Sequence, residues 1–426
     1  MGQAFRASAP RADNRAPEII GSLDIGTSKI CCLIAAATSP PRLLGIGHQR
    51  ARGIVAGMVV DLDEAEQAVR TAVARAERQA GVTLEAVDLS VSGGQLASTH
   101  FAATTTVATG VVSDLDLHRL AEGARAYSVR EGRALVHMNR IAYRLDASAG
   151  IRDPRGMAGR TLVGDIHAVT ADDGPIRNLR MLLERCFLTP ARFTPAGLAS
   201  ARAVATPEEL HQGVTVIDIG AGTTSLAMIR EGHDIFVDSL PVGGDHLTYD
   251  IRAVLGTSLA EAERIKVLYG TLVEAGSDER DVVTYQRLND PLAAEAESEL
   301  YQTTRAHLRQ LLVPRVESLL AQVLERLVAS GLQGYGGGRI VLTGGGSQLV
   351  GLPIFAGRIW SRPVRVALPQ PLSGMGSSSC TPSLATAIGL IAAAANPATL
   401  ECVGVQQAAD HYGYLGRVGQ WLRENF

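Results

Sequence analysis

The stretch SLDIGTSKICCLIA, residues 22–35, has an echo in VIDIGAGTTSLAMI, residues 216–229. Each is an apolar run ending in Asp-Ile-Gly, then a turn of Gly, Thr, Ser or Ala, then a second apolar run. Short apolar runs flanking a small-residue turn read as β-hairpins. An echo of this kind suggests internal duplication, and the two copies lie too far apart for a solenoid, whose period is about 20–50 residues. The pattern instead predicts two related α/β domains facing each other.

The residues at the turns suggest a purpose. Gly26, Thr27 and Ser28 in one copy, and Gly220, Gly222, Thr223 and Thr224 in the other, let backbone approach an anion closely and add hydroxyl donors. One hairpin can hold one phosphate, and two opposed hairpins can clamp a polyphosphate. Asp24 and Asp218 would repel that ligand unless a hard cation sat between, and Mg²⁺ does this well, commonly through its waters. Lys29 on the outgoing strand can neutralise further charge. The competing reading of each turn is a plain hairpin with no ligand.

Three later stretches extend the pattern. IVLTGGGSQLVGLP, residues 340–353, runs a strand into Gly344, Gly345 and Gly346, whose bare backbone suits the flat face of a base or ribose. LPVGGDHLTYDI, residues 240–251, places Gly243 and Gly244 at a helix N-terminus, which favours anions. SLAEAERIKVLYG, residues 258–270, puts Glu263 and Lys266 on one helix face, where a solvated surface pair is the alternative. There is no Walker A sequence, no G-x-S-x-G elbow and no H-E-x-x-H.

Composition bounds the rest. The chain has 426 residues, 46% apolar and 19% charged, which predicts a well-cored protein of several subdomains. A net charge of −3 lacks the basic excess of a nucleic-acid binder. The five cysteines (Cys31, Cys32, Cys186, Cys380 and Cys402) form no C-x-x-C pair and read as free thiols. Residues 1–18 are polar and rich in Pro, Ala and Arg, without the apolar core of a secretory signal, and Arg6 breaks the Gly2 acylation motif. They predict a disordered tail. The longest apolar run, residues 385–395, is short of the roughly 20 residues that span a bilayer.

Along the chain, residues 19–50 read as three strands, and residues 61–81 as a helix capped by Asp61 or Asp63 and ended by Gly81. Ala65, Ala68, Val69, Ala72, Val73 and Ala76 line its apolar face. Alternating strands around one helix over 85–170 predict an α+β insertion, with 87–94 as its first strand. Strand–turn–strand resumes at 214, and a mostly helical block over about 246–334 is interrupted at Pro314. The tail YLGRVGQWLRENF, residues 414–426, puts Leu415, Val418, Leu422 and Phe426 on one helix face. Trp421 lies at its edge, with Arg417 and Arg423 toward the polar side. That is the pattern of an interfacial amphipathic helix, the alternative being a helix packed on the protein's own core.

These residues, in this order, resemble the actin/DnaK/sugar-kinase ATPase superfamily. Within it, GGDHLTYDIRAVLGTSLAEAERIKVLYG, RGIVAGMVVDLDEAEQAVRTAV and the terminal WLRENF resemble the FtsA family of actin-like bacterial cell-division proteins. The resemblance spans residues 19–426. It implies an α/β actin-like ATPase fold of four subdomains. Subdomain 1A would take residues 19–84 and 171–204, an inserted 1C residues 85–170, 2A residues 205–250 and 335–396, and a helical 2B residues 251–334. A linker over 397–411 and a membrane-targeting helix over 412–426 would follow.

It further implies ATP with Mg²⁺ between 1A and 2A, with Asp24 and Asp218 flanking the metal through water. Gly26, Thr27, Ser28, Gly220, Gly222 and Thr223 would hold the phosphates. Glu263 and Lys266 would stand near the ribose and adenine, with Gly344, Gly345 and Gly346 under the base.

Implied partners are the C-terminal tail of FtsZ, with Arg315 in the stretch most like the family's docking site, then a filament of further copies, other division proteins and anionic inner-membrane lipid. Nucleic acid is not among them. The implied location is the cytoplasmic face of the inner membrane at midcell. One departure bears on catalysis: residues 190–206 contain no Gln, Asp, Glu or His to position an attacking water, so slow or absent hydrolysis is expected. A pilus-assembly scaffold or a small-molecule kinase of the same superfamily is the alternative.

Overall fold

The computed structural model describes residues 18–288, 300–332, 334, 336–376 and 379–395. The expected N-terminal tail before Glu18, the linker and the amphipathic helix with Leu415, Arg417, Val418, Trp421, Leu422, Arg423 and Phe426 lie outside the described residues, as does Cys402.

The first half opens with an antiparallel meander of β1 (Ile19–Ile25), β2 (Lys29–Ala36) and β3 (Arg42–Arg50). A small ribbon, β4 (Ile54–Val55) and β5 (Met58–Val59), precedes α1 (Leu62–Ala80). The helix cap is Asp61, whose Oδ1 accepts the N–H groups of Asp63 and Glu64 at 3.0 Å each. Gly81 ends the helix at φ 70°, a left-handed conformation that glycine adopts without strain. All six residues expected on the apolar face are buried.

β6 (Ala86–Val91) corrects the reading at 87–94. It pairs parallel to β1 and so belongs to the first large sheet, not to the insertion. The insertion proper contains β7 (Ala97–Thr106), α2 (Asp114–Ser128), β8 (Arg133–Leu145), β9 (Ser148–Ile151) and β10 (Thr161–Asp172), in sheet order β7-β10-β8-β9. It packs small cores of its own around Leu120, Leu145 and Leu162 and around Ala124, Met138 and Ile166. The chain then returns through α3 (Asp173–Arg185) to β11 (Thr189–Pro195), which pairs parallel to β6. Helices α4 (Ala196–Val204) and α5 (Pro207–Gln212) lead out.

The second half repeats the plan. β12 (Val214–Ile219), β13 (Thr224–Arg230) and β14 (His233–Leu240) form the meander. Helices α6 (Gly244–Leu255) and α7 (Leu259–Tyr269), a ribbon of β15 (Val282–Tyr285) and β16 (Tyr301–Thr304), and α8 (Arg305–Ala329) follow. β17 (Ile340–Thr343) pairs parallel to β12, and β18 (Val364–Val366), reached through α9 (Leu352–Trp360), pairs parallel to β17. The two large sheets therefore share one topology, β3-β2-β1-β6-β11 and β14-β13-β12-β17-β18. The expected break at Pro314 does not occur. Pro314 and Gln310, the residue one turn back whose carbonyl loses its N–H donor, are both exposed, so water can donate to that carbonyl in its place, and α8 runs through unbroken.

The final helix α10 (Ala385–Ala395) packs on β1 and β6 of the first sheet, whereas α4 of the first half packs on β12 and β13 of the second. The two helices cross where Gly389 meets the Ala199 backbone, so closely that any side chain at Gly389 would collide with it. This exchange of helices ties the halves together at the floor of the cleft between their hairpin tips.

Candidate nucleotide-binding site

Both hairpins close in the same way. Gly26 N–H donates to Lys29 O at 3.0 Å, and Gly220 N–H donates to Thr223 O at 2.8 Å. In register, Asp24 lies opposite Cys31 and Asp218 opposite Ser225, one residue before the last pair of each hairpin. The tips meet across the cleft, for a Cβ on Gly222 would run into the Thr27 side chain. Thr27 Oγ1 is buried and, among the described residues, has no hydrogen-bond partner. An unpaired buried hydroxyl is costly unless a ligand oxygen satisfies it.

The cavity here measures about 540 Å³, within the usual size of small-molecule sites. It brings together Asp24, Gly26, Thr27, Ser28 and Lys29 from the first half. From the second come Asp218, Gly220, Thr223, Gly244, Glu263, Lys266, Gly344, Gly345 and Gly346. Three expected residues stand behind its wall. Gly222 provides the close approach at the tips, Thr224 is fully buried with Oγ1 donating to Val242 O at 2.8 Å, and Gly243 packs on the backbone of Gly220 and Ala221.

The three consecutive glycines divide the work. Gly344, at φ 83°, lies against Asp218 and the Ile219 backbone, and Gly346 lies against Ile219, so neither tolerates a side chain. Gly345 faces open space bounded by Ser383. The helix N-terminus at Gly243 and Gly244 corrects one expectation. Gly244 N–H donates to Gly220 O at 2.9 Å and Asp245 N–H to Ala221 O at 2.8 Å, so these amides brace the second hairpin rather than offering themselves to an anion. Lys266 is similarly engaged. Its Nζ donates to Gly244 O at 3.0 Å and Thr248 Oγ1 at 2.8 Å and pairs with Glu263 Oε2 at 2.8 Å, which fastens α7 to the first turn of α6. The pair is thus part of the cleft wall, not a solvated surface pair.

The carboxylates sit in a cation-poor setting. Burial raises the pKa of Asp24, against the Ser90 hydroxyl bond at 2.7 Å and the nearby Lys29, which lower it. Burial likewise pushes Asp218 up to about 6, opposed by Ser200 and assisted by the charge of Asp24. Thr386 Oγ1 donates to Asp218 Oδ2 at 3.0 Å, and the Ser200 hydroxyl donates to the same oxygen. Lys29 Nζ reaches Ser383 Oγ at 3.0 Å. Among the described residues no group of three or more His, Cys, Asp or Glu forms a self-sufficient metal site. Two carboxylates with a ligand's phosphates and water would complete one. Burial pushes the Cys31 thiol up to about 12, so it is no nucleophile.

Ser90, Ser200, Ser383 and Thr386 were missed in the sequence. Each is one hydroxyl in a segment without a motif. The available signal was a hydroxyl among apolar neighbours, as with Ser200 in AGLASARAV. Arg315, expected at a partner site, holds Asp250 with Nε at 2.7 Å and Nη2 at 2.9 Å. Arg305 pairs with Asp281, and Arg309 lies near Glu274 and Asp278.

Comparison with known proteins places this geometry. Residues 215–389 match the family model for cell division protein FtsA, and residues 93–170 match the SHS2 domain inserted in FtsA, which begins after β6. The chain is 35% identical to the cell division protein FtsA of Agrobacterium fabrum, over 96% of this chain and 95% of that protein. It is 31% identical to that of Neisseria meningitidis and 28% to that of Escherichia coli K12, each match covering 96% of this chain and 98% of the relative. Among solved structures, the PilM-PilN type IV pilus biogenesis complex superposes with a TM-score of 0.60 at 17% identity, covering 87% of this chain and 97% of that one, a likeness of fold alone. The mixed α/β architecture with its inserted subdomain and the relatives' near-complete coverage agree, and the chain belongs to the FtsA family of actin-like cell-division proteins.

Proposed function

We propose that the cleft binds ATP with Mg²⁺ and that the loaded protein polymerises on the cytoplasmic face of the inner membrane at midcell. There it tethers FtsZ filaments and recruits later division proteins. The observation that carries the nucleotide reading is the pair of hairpin tips, with the unpaired Thr27 hydroxyl beside two buried carboxylates. Residues present on both walls suit the ligand. Thr27, Ser28, Thr223 and the free donors of Lys29 meet phosphate oxygens, Asp24 and Asp218 face the metal's waters, and the open space over Gly345 receives the base. Bound Mg²⁺ supplies the positive charge that lets phosphates lie beside two carboxylates. Saturable binding of a fluorescent ATP analogue in Mg²⁺, displaced by ATP, is the expected result; no binding at millimolar nucleotide overturns the reading.

Turnover is expected to be slow. The polar side chains of α4 are Ser200, tied to Asp218, and Arg202, tied to Asp234, which leaves no side chain of that helix to orient a water. Phosphate release well below about 1 per second is expected, with membrane and polymer present. Release at ordinary enzyme rates overturns this.

Membrane attachment is assigned to residues 412–426. No helix among the described residues is long and apolar enough to cross a membrane. Each buried apolar side chain of the tail contributes about 1.5–3 kcal/mol at best, and Gly416 and Gly419 each weaken its helix by about 1 kcal/mol relative to Ala. A single tail therefore binds weakly, and linking many tails in a polymer raises avidity steeply. Co-sedimentation with anionic liposomes is expected to fall sharply for Trp421→Glu. Retention of wild-type sedimentation by this variant removes the tail as the anchor. For the FtsZ tail, Arg315 offers the edge of its guanidinium not used by Asp250, so a peptide carboxylate there joins an existing ion pair.

A further inference from the structure

Sheet edges are liabilities that proteins cover, shorten, charge or break with proline. The three larger sheets follow this rule at five of their six edges. On β3, Leu43 N–H is taken by Ser373 O and Ile46 N–H by Gln79 Oε1. β11 carries Pro190 and Pro195. β14 is covered by the insertion, through Ser98 with Val237 and Asn139 with Asp234 O. β9 has four residues and β18 three.

β7 follows none of these. It is ten residues long, ASTHFAATTT, with no formally charged residue, no proline and no bulge in its register with β10. Its first residues abut β14, and among the described residues nothing pairs with the outer edge of Phe101–Thr106. The direction of its free groups follows from the ladder. Val107 N–H donates to Arg160 O on the β10 side, so the odd-numbered residues hydrogen-bond to β10. Ala102, Thr104 and Thr106 then present N–H and C=O outward, and all three are exposed.

We propose that this edge joins a second copy of the chain by antiparallel β7–β7 pairing centred on Thr104. A two-fold antiparallel pair must centre on one residue, because adjacent residue pairs alternate in type and symmetry makes equivalent pairs identical. Centring on Thr104 uses every free outward group: Thr104 exchanges two bonds with its symmetry mate, and Ala102 pairs with Thr106 on both sides. The strand's lack of formal charge makes the same segment its own partner, since no like charges oppose. Beside it, Tyr127, 60% exposed, lies tilted against Phe101 at a centroid distance of 4.7 Å, and Val129 is 54% exposed, an apolar flank that a second insertion would cover.

Residue-resolved hydrogen exchange on the full, nucleotide-free chain tests this across a range of protein concentration. The amides of Ala102, Thr104 and Thr106 are expected to slow by about tenfold or more between dilute and concentrated samples, while those of Phe101, Ala103 and Thr105 stay protected throughout. Thr104→Lys, which sets two ammonium groups at the two-fold axis, is expected to abolish the concentration dependence with the odd-numbered amides still protected. If those are lost, Thr106→Lys serves instead. Fast exchange of the outward amides at every concentration, constant protection at every concentration, or concentration dependence surviving in a folded lysine variant each overturns the proposal.

Discussion

Replacing Asp218 with alanine is expected to weaken Mg·ATP binding by on the order of 100-fold, while ATP in the presence of a chelator binds as well as before or better. Asp218 is 9% exposed, and hydroxyls from both crossing helices, Ser200 on α4 and Thr386 on α10, meet at its Oδ2. The bare Cα of Gly344 lies against its other oxygen. The carboxylate is thus fixed in place, with Asp24 adding negative charge and Lys29 the cation opposing it. In that setting it favours a ligand that brings a cation and repels a naked polyphosphate. Alanine removes both effects, and so the two conditions split. Titration of a fluorescent ATP analogue with Mg²⁺ and with EDTA reads this directly. Wild-type affinity of the Asp218→Ala protein in Mg²⁺, or equal losses in both conditions, contradicts the role given to this residue.

What could be read in the sequence was what is encoded locally. The hairpins were legible because a strand, a small-residue turn and a strand are contiguous, and Asp24 and Asp218 fall at the same place in both. The helix α1 was legible because its cap, apolar face and terminal glycine lie within one stretch. Partnership across distance was not. The alternation in Ala86–Val91 says that it is a strand and nothing about which sheet it joins; hydrogen bonds to β1 and β11 decided that. Gly243 and Gly244 look like an anion-binding helix start until the hairpin carbonyls that occupy the amides are known. Ser200 and Thr386 are 186 positions apart and converge only because the halves exchange helices. Pro314 fails as a breaker because its side of α8 faces water, a matter of packing that no local pattern records.

The same long-range convergence makes the seam between the insertion and the second half sensitive to acid. Asp234 on β14 is fully buried, and three side chains from two segments, α4 and β8, meet at it. Arg202 of α4 donates to its Oδ1 at 2.6 Å, His137 of β8 lies 3.2 Å from its Oδ2, and Asn139 donates to its backbone carbonyl at 3.1 Å. Asn139 Oδ1 in turn meets His167 Nδ1 at 3.1 Å, and His167 Nε2 meets Ser98 Oγ at 2.9 Å, with His100 stacked alongside at 4.9 Å. Burial, with the nearby His100 and His137, lowers the His167 pKa to about 3. An unfolded histidine titrates near 6.5, so between those values the unfolded chain holds the extra proton. Stability from this group is complete above pH 6.5 and falls as pH drops, by about 1.4 kcal/mol per pH unit. Asp234 adds to the loss at lower pH. Burial raises its pKa, but Arg202 and His137 outweigh that and hold it at about 2, so its contribution, full above the unfolded value near 4, disappears as pH falls through 2. From pH 6 to 4.5 the protein is therefore expected to lose about 2 kcal/mol through His167 alone. Urea unfolding at several pH values, followed by hydrogen exchange in β7 and β14, measures it. In His167→Gln, whose amide can still meet Ser98 or Asn139, the slope over this range is expected to fall by about one proton. An unchanged slope in that variant would show that the acid sensitivity of the seam lies elsewhere.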